Sequence, residues 1–238
     1  MKLWADEEEE RLAYYPARER KSDTAVLIFP GGAYAFLADH EGSGYAEFLS
    51  AAGYDAYVCA YRVKPDAFPL PLLDARRAMR LLRQTKKYKK IVVMGSSAGG
   101  NLAALLCTHF GRLPGEDEGE FLPDGQILCY PVITLTNNEL THEYSRVCLT
   151  GGNAALYAEL TPETHVTKRT PPAFLWHTAG DEGVPMQNTL IYADALTRAS
   201  VPVEAHIFPG GYHGMGLAQD DPVIGQWTAL MLRWLERL

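Results

Sequence analysis

The chain has 238 residues, 47% of them hydrophobic, enough for a sizeable core in one α/β domain over 1–238, and no linker, shift in composition or internal repeat divides it. Its 29 acidic and 22 basic residues give a formal charge of -7, which argues against a nucleic-acid partner. The acidic run from Asp6 to Glu10 stands where a signal peptide needs an apolar stretch, no segment approaches membrane-spanning length, and Cys59, Cys107, Cys129 and Cys148 lack C-x-x-C spacing; buried free thiols, no membrane partner and a reducing cytoplasm are expected.

After an N-terminal extension over 1–23, strand-like runs alternate with amphipathic helical ones, the pattern of a mainly parallel sheet covered on both faces. Ala25 to Phe29 is the first clear strand and ends at Pro30-Gly31-Gly32-Ala33-Tyr34. A helix is expected from about Gly44 to Ala52, with Tyr45, Phe48, Leu49 and Ala52 on one face and Gly53 as its stop. Tyr54 to Ala60 is a second strand, and Leu72 to Arg83 a helix with Leu72, Ala75, Met79 and Leu82 in its apolar stripe. Lys86 to Lys90, the basic cluster, falls between helix and strand and reads as a solvated turn. Residues 111–125 form a Gly/Glu/Asp/Pro-rich surface loop before the sheet resumes at Gln126 to Tyr130. Residues 131–170 are polar and without periodicity, an excursion over the C-terminal edge of the sheet of the kind that shapes a binding site. Ala173 to His177 and Val203 to Phe208 are the last strands, separated by a helix over Gln187 to Ser200. Pro222 opens a final helix packed down by Ile224, Trp227, Met231, Trp234 and Leu238.

Residues 91–106 carry the strongest signal. The apolar run Ile91 to Met94 has the make-up of a buried parallel strand, and it leads straight into Gly95-Ser96-Ser97-Ala98-Gly99 and an Ala/Leu-rich helix. Strand, tight turn and helix turn the weak G-x-S-x-G pattern into a nucleophile elbow centred on Ser97. Small neighbours are required because the serine adopts a strained backbone conformation, and the amide of Ala98 comes to lie beside its hydroxyl near a helix N-terminus.

A serine hydroxyl is a weak nucleophile without a base, and the base needs an orienting acid. Asp181 lies in the turn after the strand ending at His177, and His213 in the glycine-rich loop after the strand ending at Phe208. Glu182 is the rival acid, with its side chain expected to point the other way; His109, His177 and His206 read as packed or solvated residues. The order Ser97, Asp181, His213 is that of the α/β-hydrolase fold. The amides of Gly32 or Ala33, joined by that of Ala98, are the candidate donors for a tetrahedral oxyanion. No H-E-x-x-H or comparable ligand spacing is present, so neither a metal nor an organic cofactor is expected.

Taken together, the segments Pro30 to Leu37, Gly95 to Leu102, Thr141 to Arg146, Pro171 to Thr178, Asp181 with Val184-Pro185, and Phe208 to Gly214 resemble the cap-less bacterial esterase/lipase group of α/β-hydrolases, which includes carbohydrate acetyl esterases and related xylan and feruloyl esterases. The resemblance runs from about Thr24 to the C-terminus and implies the triad Ser97, Asp181 and His213. Pro30 stands where many relatives have histidine, and Ala33 where they often have a third glycine.

The resulting expectation is ester hydrolysis through an acyl-serine. The short chain has no long apolar lid segment, which favours acetyl-sized acyl groups, and Tyr34, Phe36, His142, Ser145 and Tyr212 in the rim segments suit a sugar or aryl leaving group. A serine peptidase of the same fold, a non-catalytic binding module that retains it, and acyl transfer to an alcohol are the competing readings. Hydrophobic edge strands leave room for a homo-oligomer.

Overall fold

A computed structural model describes residues 1–5, 8–116 and 119–238; Asp6 and Glu7 of the acidic run and Asp117 and Glu118 of the 111–125 loop lie outside the described residues. Among the described residues, seven strands form one sheet: β1 (Leu12–Tyr15), β2 (Thr24–Phe29), β3 (Asp55–Cys59), β4 (Lys90–Ser96), β5 (Gly125–Cys129), β6 (Ala173–Thr178) and β7 (Val203–Phe208), in the spatial order β1-β3-β2-β4-β5-β6-β7. β1 pairs antiparallel with β3, and every other neighbouring pair is parallel.

Among the described residues, six α-helices accompany the sheet: α1 (Asp39–Ala52), α2 (Leu70–Gln84), α3 (Ser97–Thr108), α4 (Glu143–Thr150), α5 (Gln187–Arg198) and α6 (Trp227–Arg237). Successive strand residues point to opposite faces, and the core divides accordingly. Ala25, Leu27 and Phe29 of β2 pack with Leu72, Met79, Leu102, Leu106 and Tyr192 from α2, α3 and α5. Val26 and Ile28 pack on the other face with Tyr45 and Leu49 of α1 and Trp227, Met231 and Trp234 of α6. A buried side chain of this size contributes roughly 1.5–3 kcal/mol, so Trp227 and Met231 each contribute on that order to the docking of α6 on its face.

Several elements differ from expectation. α1 begins at Asp39, five residues before Gly44, because Asp39 and Glu41 complement the positive helix start while Gly42 and Gly44 hide the helical pattern. β1 was not expected: only Leu12 of its four residues is fully buried, so its hydrophobic signal is weak. The excursion over 131–170 contains α4 and two short 3-10 turns, Ala154–Leu156 and Pro162–His165. α4 escaped notice because its start is capped by a histidine: the His142 side chain accepts from the Ser145 amide in place of the usual Ser, Thr, Asp or Asn. The final helix starts at Trp227, after a 3-10 turn over Ile224–Gln226, with Pro222 two residues ahead of that turn.

The parallel strands end along one edge. The loops that follow β2, β4, β6 and β7 therefore converge there, although they are drawn from residues 30 to 216.

Candidate active site

β4 passes directly into α3, and Ser97, the first residue of the helix, sits at φ 52. That left-handed conformation costs an L-residue with a side chain free energy, and the surroundings enforce it. A Cβ at Gly95 would stand 2.1 Å from the carbonyl oxygen of Gly99, so strand and helix approach closely only because residue 95 has none. Ser97 is thereby held at the C-terminal edge of the sheet, 6% exposed, with the free amides of the first helical turn beside it.

The Ser97 hydroxyl donates to Nε2 of His213 at 2.8 Å, and Nδ1 of His213 donates to Oδ2 of Asp181 at 2.7 Å. Asp181 follows β6, and its other oxygen accepts from the amides of Gly183 (2.9 Å) and Val184 (2.8 Å). Burial opposes the charge of Asp181, but hydrogen bonds from His177, His213 and the Val184 amide outweigh it and hold the carboxyl well below the usual carboxylate range. Glu182 is exposed. The arrangement can take a proton from a serine hydroxyl and stabilise the imidazolium that results.

His177, expected as a packed residue, is packed and also touches this site. It is fully buried, with Nε2 2.9 Å from the Val184 carbonyl and 3.3 Å from Oδ2 of Asp181, and Nδ1 2.8 Å from the Thr189 hydroxyl. Asp181 thus has imidazoles on two sides. The signal was the spacing itself: a histidine one residue from the end of a buried strand and four before the acid.

The loop after β2 presents backbone donors. Gly32, Ala33 and Tyr34 lie at φ 121, 57 and 58, and the Gly32 carbonyl accepts from the amides of Ala35 and Phe36. The Gly31 amide is taken by Glu41 Oε2 at 2.9 Å. Among the described residues the amides of Gly32 and Ala33 have no protein acceptor, which leaves both, with Ala98, free for a ligand oxygen.

His142 stacks on His213 with ring centroids 6.4 Å apart and planes 19° apart. Its Nδ1 is occupied by Ser145, whose hydroxyl lies 2.7 Å away and whose amide is at 3.3 Å, so the imidazole carries its proton on Nε2. Burial and the neighbouring His213 lower its pKa, partly offset by Asp181. Tyr212 is 65% exposed at the rim. Tyr34 and Ser145 stand differently from expectation: each is 1% exposed, Tyr34 donating to Asn101 Oδ1 at 2.8 Å and Ser145 supporting His142 from below, so neither presents its hydroxyl to a bound molecule. Among the described residues no group of three or more His, Cys, Asp or Glu side chains is arranged to hold a metal ion.

The fold of this chain recurs in known proteins. Endo-1,4-beta-xylanase B of Butyrivibrio fibrisolvens is 36% identical over 226 residues, which cover 88% of this chain and 35% of that protein. The acetylxylan esterase of Xylanibacter ruminicola is 28% identical over 210 residues, 83% of this chain and 42% of its own. The chain therefore spans less than half the length of these two curated relatives. The crystal structure of an acetyl ester-xyloside bifunctional hydrolase from Caldicellulosiruptor lactoaceticus matches with a TM-score of 0.88 at 39% identity, covering 99% of this chain and 94% of that one. A carboxylesterase from Lactobacillus plantarum matches with a TM-score of 0.79 at 26% identity, over 95% of this chain and 91% of the other. A family model described as the alpha/beta hydrolase fold fits residues 26–217, from β2 to the loop beyond His213, and the chain belongs to that family.

Proposed function

We propose that this chain is a serine carboxylesterase that removes short acyl groups, acetyl above all, from an alcohol such as an acetylated sugar. Ser97 attacks the ester carbonyl while His213 takes its proton, and Asp181 holds the imidazole and balances the imidazolium. The tetrahedral oxyanion rests on the amide of Ala98 and that of Gly32 or Ala33. Collapse expels the alcohol, which receives the proton from His213, and water activated by the same imidazole releases the acid. The observation that carries this reading is the continuous relay from the Ser97 hydroxyl through His213 to Asp181, at 2.8 and 2.7 Å.

The alcohol side faces His142 and the exposed Tyr212, an imidazole donor and an aromatic surface suited to a sugar ring or an aryl group. The names of the relatives, an acetylxylan esterase and an acetyl ester-xyloside hydrolase among them, support the acetylated carbohydrate. The reading includes a reducing cytoplasmic setting, in which the four buried cysteines remain free thiols. No helix among the described residues is long and apolar enough to cross a membrane.

Two measurements test it. A fluorophosphonate should label the protein at Ser97, and Ser97→Ala should abolish both labelling and hydrolysis, with a fall in kcat on the order of 10^6-fold. Acetate release from acetylated xylo-oligosaccharides should run beside hydrolysis of aryl acetates. An unlabelled wild-type chain, or a Ser97→Ala variant that retains its rate, would overturn the reading.

A further inference from the structure

A buried carboxylate that takes no part in the steps above lies beneath the site. Glu41, in the first turn of α1, is 3% exposed. Its Oε2 accepts from the amide of Gly31 at 2.9 Å, and its Oε1 accepts from the hydroxyl of Tyr130 at 2.6 Å. His40 Nε2 lies 3.8 Å from Oε1. The space is committed to this contact: a Cβ at Gly31 would stand 2.3 Å from Oε2 of Glu41 and 3.2 Å from Cβ of Ser97.

Tyr130 links this carboxylate to the histidine. Its ring meets His213 edge to face, centroids 5.3 Å apart, and its oxygen accepts from the amide of Gly216 at 3.0 Å in the loop that carries His213. The Tyr45 hydroxyl lies 3.1 Å from that of Tyr130, and the Ser96 hydroxyl donates to Tyr45 at 3.0 Å. These bonds admit one direction of donation throughout: Ser96 to Tyr45, Tyr45 to Tyr130, Tyr130 to Glu41. A chain of hydroxyls in which each donates once has to end on a group that only accepts, and a carboxylate meets that demand. Burial keeps both tyrosines protonated, with the charge of Glu41 adding to the effect on Tyr130. On the surface side, Nε2 of His40 reaches the Gly214 carbonyl at 3.0 Å, so the start of α1 holds the same loop directly there and indirectly through Tyr130.

We propose that Glu41 is a positioning residue: by holding the Gly31 amide and the Tyr130 hydroxyl at once, it sets the donors at Gly32 and Ala33 and the ring behind His213 in register with Ser97. The proposal rests on the esterase reading. Three loops from distant parts of the chain meet there, and their relative placement decides whether donors and base address one tetrahedral carbon. A misplacement of about 1 Å costs up to ~100-fold in rate. Gln can keep the Gly31 amide on its oxygen only by setting an NH2 group against Tyr130, which replaces a charged acceptor by a neutral donor and forces the Tyr130 hydroxyl to turn from residue 41 toward Tyr45.

The test compares wild type, Glu41→Gln and Tyr130→Phe, the last removing only the hydroxyl at the centre of the junction. For each variant, kcat and KM are measured on p-nitrophenyl acetate, with the affinity of a trifluoromethyl ketone, which forms a tetrahedral adduct with the serine, and the melting temperature by circular dichroism. In both variants kcat should fall about 10–100-fold with KM within about threefold, and ketone affinity should fall by the same factor as kcat/KM. Should Glu41→Gln fail to fold, the Tyr130→Phe variant decides alone. Variants that melt lower while kcat and ketone affinity stay within about twofold of wild type would overturn the positioning role and leave the esterase reading intact. Failure of the esterase reading has a separate signature, since wild type itself would then neither turn over the ester nor bind the ketone.

Discussion

Asp181 is the residue on which the state of the proposed base depends. As an acceptor facing Nδ1 of His213 at 2.7 Å, it keeps the ring proton on that side and leaves Nε2 open to the Ser97 hydroxyl. An asparagine at 181 turns an NH2 group toward Nδ1 and favours the opposite tautomer, whose protonated Nε2 cannot take the proton from serine. Asp181→Asn is therefore expected to lower kcat on p-nitrophenyl acetate by about 10^4-fold, with KM little changed. A loss below about tenfold would reduce Asp181 to a structural acid. The convergence of Ser97, Asp181 and His213 within hydrogen-bond reach was legible in the sequence because each follows a short apolar run that ends at the same edge of the sheet. Tyr34 and Ser145 were misjudged for a reason equally physical. The direction of a side chain on a loop depends on backbone angles, and the two left-handed residues Ala33 and Tyr34 turn the phenol inward to Asn101. His177 and Glu41 went unnoticed as partners of the site because their contacts run across elements, to the acid after β6 and to the loops after β2 and β5.

Among the elements, the buried parallel strands were legible as apolar runs. The antiparallel edge strand β1 was not, because only Leu12 of its four residues is fully buried. The loop after β1 is tied to the sheet through Asp55 at the head of β3. This carboxylate accepts from the Ala17 amide at 2.9 Å and the Tyr88 hydroxyl at 2.8 Å, pairs with Lys87 at 2.8 Å, and takes a further hydrogen bond from Arg20. Burial opposes its charge, yet the Ala17 amide and the three side chains hold its carboxyl well below the usual carboxylate range. A pKa depressed in the folded state stabilises the protein above the unfolded value near 4 and ceases to do so as pH falls through the folded one. Asp55→Asn should accordingly lower the melting temperature at pH 7 by at least about 3 °C. The gap between the variant and wild type should narrow steadily as melts are repeated from pH 5 to pH 3. A gap that stays constant over that range would show that the stabilisation comes from packing and not from the charge. α4 belongs to the same class of element: its boundaries follow from a side-chain cap, His142 on Ser145, that no hydrophobic period reveals.

At the scale of the molecule, the reading turns on how much room is left around a serine at the edge of an open sheet. Within residues 131–170, α4 is capped by His142, whose ring stacks on that of His213. Beneath the donor loop the volume is filled, with Tyr34 and Tyr61 buried edge to face at 5.9 Å and Tyr61 donating to the Pro30 carbonyl at 2.6 Å. A long acyl chain directed beneath the donor loop would meet this packed volume and gain little from burial, whereas an acetyl methyl needs no such space. In a p-nitrophenyl ester series, kcat/KM should therefore be highest for the acetate and fall with each lengthening, by about tenfold or more at the octanoate. A maximum at eight carbons or longer would require an apolar channel that opens only when substrate is bound, and the preference for short acyl groups would then have to be abandoned even if Ser97 remained the nucleophile.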